Sequence, residues 1–251
     1  MITLKTTREL SLMRDAGRIA AQALLRVGEA VKPGVTTAQL EQVARAYIQS
    51  CGAAPTFLGY NDFPAGACIS VNEEIIHGIP SKRRVLREGD IVSVDLGATY
   101  KGYVGDTAYT FAVGKLSELS QKLCETAREA LYAAIPCAAP GEKIGDISAA
   151  VQSCCEARGF SLVREYTGHG VGRSMHEDPC VPNVGTAGKG VKLRAGMTLA
   201  IEPMVCAGKP QIRVLEDKWT VATRDGKRAA HYEHTVAVTN NGPVILTLAE
   251  G

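Results

Sequence analysis

Aromatic side chains are scarce in this chain of 251 residues, at 5% of the total with a single tryptophan. The charge is nearly balanced, with 28 lysines and arginines against 26 aspartates and glutamates. So small a positive excess gives no electrostatic footprint for nucleic acid. No run approaches about 18 consecutive apolar residues, so we expect no membrane-spanning helix. The composition therefore argues against a nucleic-acid-binding protein and against a membrane protein.

The first residues contain neither an apolar segment nor a small-residue cleavage site, so we expect no signal peptide. The eight cysteines lack the C-x-x-C spacing of zinc ribbons and redox motifs, and Cys154 is directly adjacent to Cys155. We therefore expect reduced thiols in a cytoplasmic protein. Gly/Ser-rich linkers are absent, and 45% of the residues are hydrophobic, which favours one domain over residues 1–251.

Landmarks in the first half of the chain recur in the second half at one constant separation along the sequence. This separation, which is the one between Pro33 and Pro140, is called the repeat offset. Helical periodicity and capping patterns predict helices over residues 6–31 and from Thr36 to Gly52, and a second helix pair begins near residue 117. Two helices followed by strands in each half predict an α+β fold, with halves of about 1–113 and 114–251. The recurring landmarks are Pro33-Gly34 with Pro140-Gly141, Gly52 with Gly159, and Gly89-x6-Asp95 with Gly196-x6-Glu202.

Short β-branched runs predict the strands of one shared antiparallel sheet with helices on one face. A hairpin is expected over residues 207–230, with Lys209-Pro210 and Arg224–Lys227 as turn signals. The strands are predicted at residues 67–71, 91–97, 100–113, 197–202 and 232–238.

Four carboxylates lie within or at the ends of these apolar strands: Asp95, Asp106, Glu202 and Glu233. Each alone could be a surface residue, a turn cap or a member of a salt bridge. A buried carboxylate is costly unless it is paired or binds a metal, and four on one sheet favour a metal site. Asp95 and Glu202 are equivalent in the repeat, so we expect them to face each other across the two-fold axis.

His169 lies in the glycine-rich segment Thr167-Gly-His-Gly-Val-Gly172, which leaves its imidazole unobstructed. A lone histidine is more often packed or solvated than a ligand. One nitrogen and four oxygen donors, however, suit two divalent first-row metal ions, and the four negative charges would balance them.

Five segments of the chain form a recognisable set of motifs: VNEEIIHGIP (71–80), VDLGATYKGYVGDTA (94–108), YTGHGVGRSMHEDP (166–179), LAIEPM (199–204) and YEHTVAVT (232–239). With these motifs in this order, the sequence resembles the type I methionine aminopeptidases, which have the creatinase/aminopeptidase "pita-bread" fold, from about residue 3 to residue 248. The resemblance implies a pseudo-two-fold antiparallel sheet with two helix pairs on one face.

The resemblance implies a dinuclear site in which Asp106 and Glu233 bridge two divalent ions. Asp95 would bind one ion, and His169 and Glu202 the other. Many relatives have histidine after Tyr60, where this chain has Asn61-Asp62, which affects only the rim of the methionine pocket. The implied substrate-binding residues are His77, His176, Tyr60, Phe63, Cys68, Met175 and Trp219.

The implied activity is hydrolytic removal of the initiator methionine from nascent polypeptides, with a preference for a small second residue. Glu202 would act as general base, and His77 and His176 would hydrogen-bond the substrate. The ions could be Co²⁺, Mn²⁺, Fe²⁺ or Zn²⁺. The expected partners are nascent N-termini, at the ribosome, and a monomer is expected from the family.

Two alternatives stay open on the same fold: a binding protein without hydrolysis, and a dipeptidase or Xaa-Pro aminopeptidase. Binding proteins of this fold lose metal ligands, whereas all five are present here. Prolidases and Xaa-Pro aminopeptidases carry a sizeable N-terminal domain, which we do not expect here. Only 26 positions separate His176 from Glu202, too few for the inserted helical subdomain of type II enzymes.

Overall fold

The computed structural model describes residues 1–249. Its helices form two pairs, each followed by strands. None of the helices in this part of the chain combines the length and the apolar character needed to cross a bilayer. The helices are α1 (Thr7–Ala30), α2 (Thr37–Ser50), α3 (Glu118–Ala134) and α4 (Ile144–Glu156), with short 3-10 helices at Tyr60–Asp62 and Ile135–Cys137.

The first helix pair begins where the sequence predicts. Thr6 and Glu9 form a reciprocal capping box at the start of α1, and Thr36 and Gln39 form another at the start of α2. Each box pairs backbone N–H groups that have no partner within the first helical turn. The predicted starts of both helices are therefore confirmed.

Fifteen strands are found in residues 1–249. They are β1 (Ala54–Pro55), β2 (Cys68–Val71), β3 (Glu74–Ile76), β4 (Ile91–Tyr100), β5 (Tyr103–Ala112), β6 (Ser161–Leu162), β7 (Thr167–Gly170), β8 (Glu177–Pro182), β9 (Thr198–Ile201), β10 (Met204–Cys206), β11 (Ile212–Val214), β12 (Val221–Thr223), β13 (Ala229–His231), β14 (Glu233–Thr239) and β15 (Gly242–Ile245).

Nine strands form the main sheet, in the order β1-β4-β5-β14-β9-β7-β8, with β2 on β4 and β15 on β14. Every pairing is antiparallel, as predicted. The β5–β14 pairing joins the two halves of the chain. Helices α1 and α2 pack on the first half, and α3 and α4 on the second, so the α+β pita-bread prediction is confirmed.

The repeat offset is visible in the backbone. In each half, one isolated β-bridge joins the helix pair to the loop before its main strands. The bridge in the first half pairs Thr36 with Val85, and the bridge in the second half pairs Lys143 with Lys192. Both partners of the second bridge follow those of the first by the repeat offset. A single domain divided near residue 113 stays a prediction.

The prediction of one shared sheet is incomplete, because β13-β10-β6 and β11-β12-β3 form two further three-stranded sheets. The chain leaves β9 at Pro203, which has no N–H to continue the ladder, and enters β10. The predicted hairpin exists as β11 and β12, but its turn spans Leu215 to Thr220. The two predicted turn signals flank the hairpin, and both are held by the Asp225 carboxylate.

Helix α1 lies directly on the sheet where two glycines meet. A Cβ at Gly105 of β5 would come within 2.3 Å of the backbone nitrogen of Gly17 in α1. Only glycine allows so close an approach, and it brings the helix against the strand that carries Asp106.

Candidate metal centre

A cavity of about 130 Å³ opens on the face of the main sheet that carries the predicted carboxylates. The structure brings together all the residues that the sequence predicts for the site. Its lining comprises Phe57, Tyr60, Asn61, Phe63, Cys68, His77, Asp95, Asp106, His169, Met175, His176, Glu202, Trp219 and Glu233.

The strand register aligns the acidic residues of three neighbouring strands, β4, β5 and β14. Asp95 of β4 and Glu233 of β14 both lie opposite Ala108 of β5, one on each side. Directly opposed residues of antiparallel strands share a face, and so do residues two positions apart. Asp106, two positions before Ala108, therefore lies on the same face as Asp95 and Glu233.

The row continues across the next two strands. Ile201 of β9 lies opposite His234, so the next residue, Glu202, is level with Glu233. His169 of β7 lies opposite Ala200 of β9, and Ala200 is two positions before Glu202, which directly follows that strand. Five strands from distant parts of the chain thus contribute to one row of donors. Asp95 and Glu202, equivalent in the repeat, line the same cavity.

These carboxylates are withdrawn from water. Asp106 is 1% exposed and Glu233 2% exposed. In residues 1–249, one oxygen each of Asp95, Asp106 and Glu233 is buried without a hydrogen-bond partner. A buried acceptor that is left unpaired is costly, so these oxygens favour a cation beside them.

The pKa values of the four carboxylates shift in the direction that burial dictates. Burial raises the pKa of Asp95, Asp106 and Glu233 well above their ordinary values, and neighbouring carboxylates raise them further. Burial alone raises the pKa of Glu202 to about 8. Such a cluster is fully ionised at neutral pH only when cations share the cavity.

The orientation of His169 carries the clearest sign of a cation site. Its Nδ1 lies 2.8 Å from the carbonyl oxygen of Gly170, so Nδ1–H donates there and Nε2 keeps a lone pair. That Nε2 faces Oδ2 of Asp106 at 3.6 Å and Oε1 of Glu202 at 3.5 Å. Burial, followed by the His176 imidazole, lowers the pKa of His169 to about 4, so the ring is neutral. A lone pair facing two carboxylate oxygens is repulsive unless a cation lies between them.

One ligand atom from each of Asp106, His169 and Glu233 lies within 4.8 Å of the others. Imidazole nitrogen with carboxylate oxygens is the donor set that divalent first-row metal ions accept. The Nδ1 bond of His169 to a backbone carbonyl is the support that metal-binding histidines usually have. The residues present therefore fit a metal site.

Aromatic and sulfur side chains form the wall next to these donors. Trp219 contacts Phe63 edge-on at 5.1 Å between ring centroids and lies 6.3 Å from His77. His77 has a positive φ of 58°, a costly conformation that tends to occur at functional sites, and burial lowers its pKa to about 4. Cys68 lies opposite Asp95 in the β2–β4 pair, and burial raises the pKa of its thiol.

His176 is held at the cavity mouth by Tyr60. The Tyr60 hydroxyl lies 2.8 Å from His176 Nδ1, and the His176 ring lies 4.2 Å from the His169 ring between centroids. Burial lowers the pKa of His176. With Nδ1 engaged by Tyr60, Nε2 is the nitrogen left for another partner.

The sequence interpretation missed two residues at this site. Phe57 lines the cavity, and no motif pointed to it. His231 places Nε2 3.4 Å from Oε2 of Glu202. Its spacing of two from Glu233 was the available signal, since residues i and i+2 of a strand share a face.

Comparison with known proteins agrees with this site. The model of metallopeptidase family M24 matches residues 11–240. A methionine aminopeptidase of Clostridium acetobutylicum is 51% identical over the whole of both chains. The crystal structure of methionine aminopeptidase from Thermotoga maritima superposes with a TM-score of 0.97 at 47% identity, covering 98% of this chain and 99% of that one.

A prolidase from Pyrococcus horikoshii shares the fold, with a TM-score of 0.79 at 24% identity, and this chain covers 64% of it. A fold, a buried donor set and a family match of this kind define a metallopeptidase. The chain belongs to family M24 and, within that family, to the methionine aminopeptidases.

Proposed function

We propose that this protein hydrolyses the peptide bond after an N-terminal methionine, and that its substrates are the N-termini of nascent polypeptides. The observation that carries the proposal is the row of five donors, four of them buried, beside a wall of Phe63, Trp219 and Cys68. The donors suit a divalent metal, and the wall suits an unbranched thioether side chain, because sulfur and aromatic edges pack well together.

The proposed ligands are Asp95, Asp106, His169, Glu202 and Glu233, and we propose that they hold two divalent ions. Four carboxylates balance the charge of two such ions, which supports a dinuclear site. Co²⁺, Mn²⁺, Fe²⁺ and Zn²⁺ all suit these ligands. When bound, such ions supply the charge that ionises a water near neutral pH and polarises the scissile carbonyl.

The protein's own groups position the substrate and move the proton. Glu202 accepts a proton from the attacking water and passes it to the leaving amine. His77 and His176 are neutral rings at the cavity wall, and they hydrogen-bond the carbonyl and amide groups of the substrate. His176 does so through Nε2, since Tyr60 occupies Nδ1.

The decisive experiment measures hydrolysis of Met-Gly-Met-Met by metal-free protein and by protein loaded with each of the four cations. We expect activity only in the loaded samples, at two equivalents. Met-Leu peptides should be cleaved more slowly, since we propose a small second residue. Activity that survives verified metal removal would contradict the proposal, and preferential cleavage of Ala-Pro would assign the protein to the dipeptidases instead.

The cellular setting is proposed on more general grounds. All eight cysteines are free thiols, which supports a reducing, cytoplasmic location. Nascent chains as substrates support action at the ribosome, tested by cosedimentation with translating ribosomes. We propose a monomer, and light scattering of the purified protein tests this state.

A further inference from the structure

His231 is a buried histidine beside the proposed general base. The residue is 1% exposed, and its Nε2 lies 3.4 Å from Oε2 of Glu202. Across residues 1–249, neither ring nitrogen has a hydrogen-bond partner within bonding geometry. A buried imidazole with two unpaired nitrogens is rare and calls for a reason.

The internal repeat relates His231 to one of the proposed ligands. His231 lies opposite Met204 in the β10–β13 pair, and Asp106 lies opposite Gly97 in the β4–β5 pair. Met204 follows Gly97 in the chain by the repeat offset. The second half of the molecule therefore carries His231 where the first half carries Asp106.

The backbone of His231 is fixed on both sides. Its N–H donates to Oγ1 of Thr110 at 2.9 Å, and its carbonyl accepts the Thr110 hydroxyl at 2.8 Å. The Thr110 hydroxyl also lies 2.8 Å from Oγ of Ser93 on β4. These bonds hold the imidazole at a constant place relative to the main sheet.

The two imidazoles beside Glu202 differ in what their nitrogens can do. His169 donates through Nδ1 to a carbonyl, so its Nε2 presents a lone pair to Oε1 of Glu202. Within the described residues, the Nδ1 of His231 has no such carbonyl to donate to. Its Nε2 is therefore free to carry the proton and to donate.

We infer that His231 is a positioning residue: a small shift of the Glu202 carboxylate brings Oε2 into hydrogen-bond geometry with the Nε2–H of His231, and this bond then holds Oε1 toward His169 and the metal ligands. The inference rests on the proposed function. It gives the two oxygens of the Glu202 carboxylate different roles, because each faces a different imidazole. Oε1 lies 3.5 Å from Nε2 of His169, and Oε2 lies 3.4 Å from Nε2 of His231. Partners of this kind orient a metal-ligating group and tune its basicity.

The test compares His231→Leu, which removes the donor, with His231→Gln, whose amide restores one. Metal-free protein is titrated with Mn²⁺ by calorimetry, and kcat and KM are measured on Met-Gly-Met-Met. We expect His231→Leu to lower Mn²⁺ affinity and kcat by about 10- to 100-fold while KM stays within about twofold. We expect His231→Gln to recover both to within about threefold of the original.

His234→Leu is the matched control, because it removes another histidine three residues away whose nitrogens face Thr247 and Tyr132. It should leave the Mn²⁺ affinity unchanged even where it lowers the thermal stability. Thermal unfolding of each metal-free variant separates a loss of folding from a loss of positioning.

Two results would overturn the inference: His231→Leu with unchanged Mn²⁺ affinity and kcat, or His231→Gln as impaired as His231→Leu. The second result would mean that the ring itself is needed, as in direct metal ligation. If the original protein binds Mn²⁺ but cleaves no methionyl peptide, the proposed function fails. The Mn²⁺ affinities of the variants still test the inference in that case.

Discussion

Replacing Lys5 by methionine should destabilise the protein and loosen one wall of the cavity. The Lys5 ammonium lies 2.5 Å from Oε2 of Glu177, and the two side chains are 4% and 15% exposed. Methionine keeps the length of the side chain but leaves the Glu177 carboxylate largely buried without its counter-charge. Removing one partner of a buried ion pair costs about 3–5 kcal/mol.

The lower end of that range applies, because Glu177 keeps two other bonds. Its Oε1 accepts the backbone N–H groups of Arg173 and Ser174 at 3.0 and 3.3 Å. A loss of about 3 kcal/mol corresponds to a fall of about 6–12 °C in Tm for a chain of this size. Glu177 also holds the turn that leads into Met175 and His176, and without Lys5 this carboxylate is less firmly anchored, so KM should rise as well.

Urea unfolding of the metal-free protein, followed by circular dichroism, measures this loss. Lys82→Met is the matched control, because Lys82 is exposed, and it should change the unfolding free energy by less than about 0.5 kcal/mol. Glu177→Gln in the Lys5→Met background removes the unpaired charge and should restore part of the stability. A Lys5→Met protein within about 1 kcal/mol of the original would refute the reasoning.

Three further substitutions test the proposed site. Glu202→Gln should lower kcat on Met-Gly-Met-Met by at least about 100-fold with little change in Tm, because the amide cannot accept the proton; near-normal turnover would assign the base elsewhere. Cys68→Ala should raise KM by an amount worth about 1–3 kcal/mol at most and keep metal-dependent turnover, because the buried thiol acts as a wall; a folded, metal-loaded variant without turnover would contradict that role. Tyr60→Phe removes the 2.8 Å bond to His176 and should lower kcat/KM by about 2- to 10-fold, equivalent to about 0.5–1.5 kcal/mol, and an unchanged kcat/KM would show that this bond does not orient the ring.

Much of the fold was accessible from local signals in the sequence. Thr6 with Glu9 and Thr36 with Gln39 are capping boxes that span four residues each, and both form as predicted. The internal repeat predicted the pseudo-symmetric antiparallel sheet. The chemical types of the five proposed ligands could also be predicted, because carboxylates inside apolar strands conflict with burial.

The hairpin shows where local signals fail. Lys209-Pro210 and Arg224–Lys227 are sound turn sequences, yet the hairpin turns between Leu215 and Thr220. The predicted turns instead carry the chain into and out of the hairpin, where one Asp225 carboxylate holds both of them. Which turn joins two paired strands depends on the register of those strands, and this is a property of the assembled sheets.

The sequence alone determined where the first two helices begin and which potential donors lie in or beside the strands, since helix caps and strand patterns depend on residues a few positions apart. Only the tertiary structure decided how those donors meet. The register that brings Glu233 beside Ala108 joins residues from opposite halves of the chain, and so does the ion pair of Lys5 with Glu177. The place of His231 beside Glu202 was decided in the same way. A shift of one residue in any of these strand pairings would turn the side chains to the opposite face, and the burial of the whole sheet selects the register that avoids it.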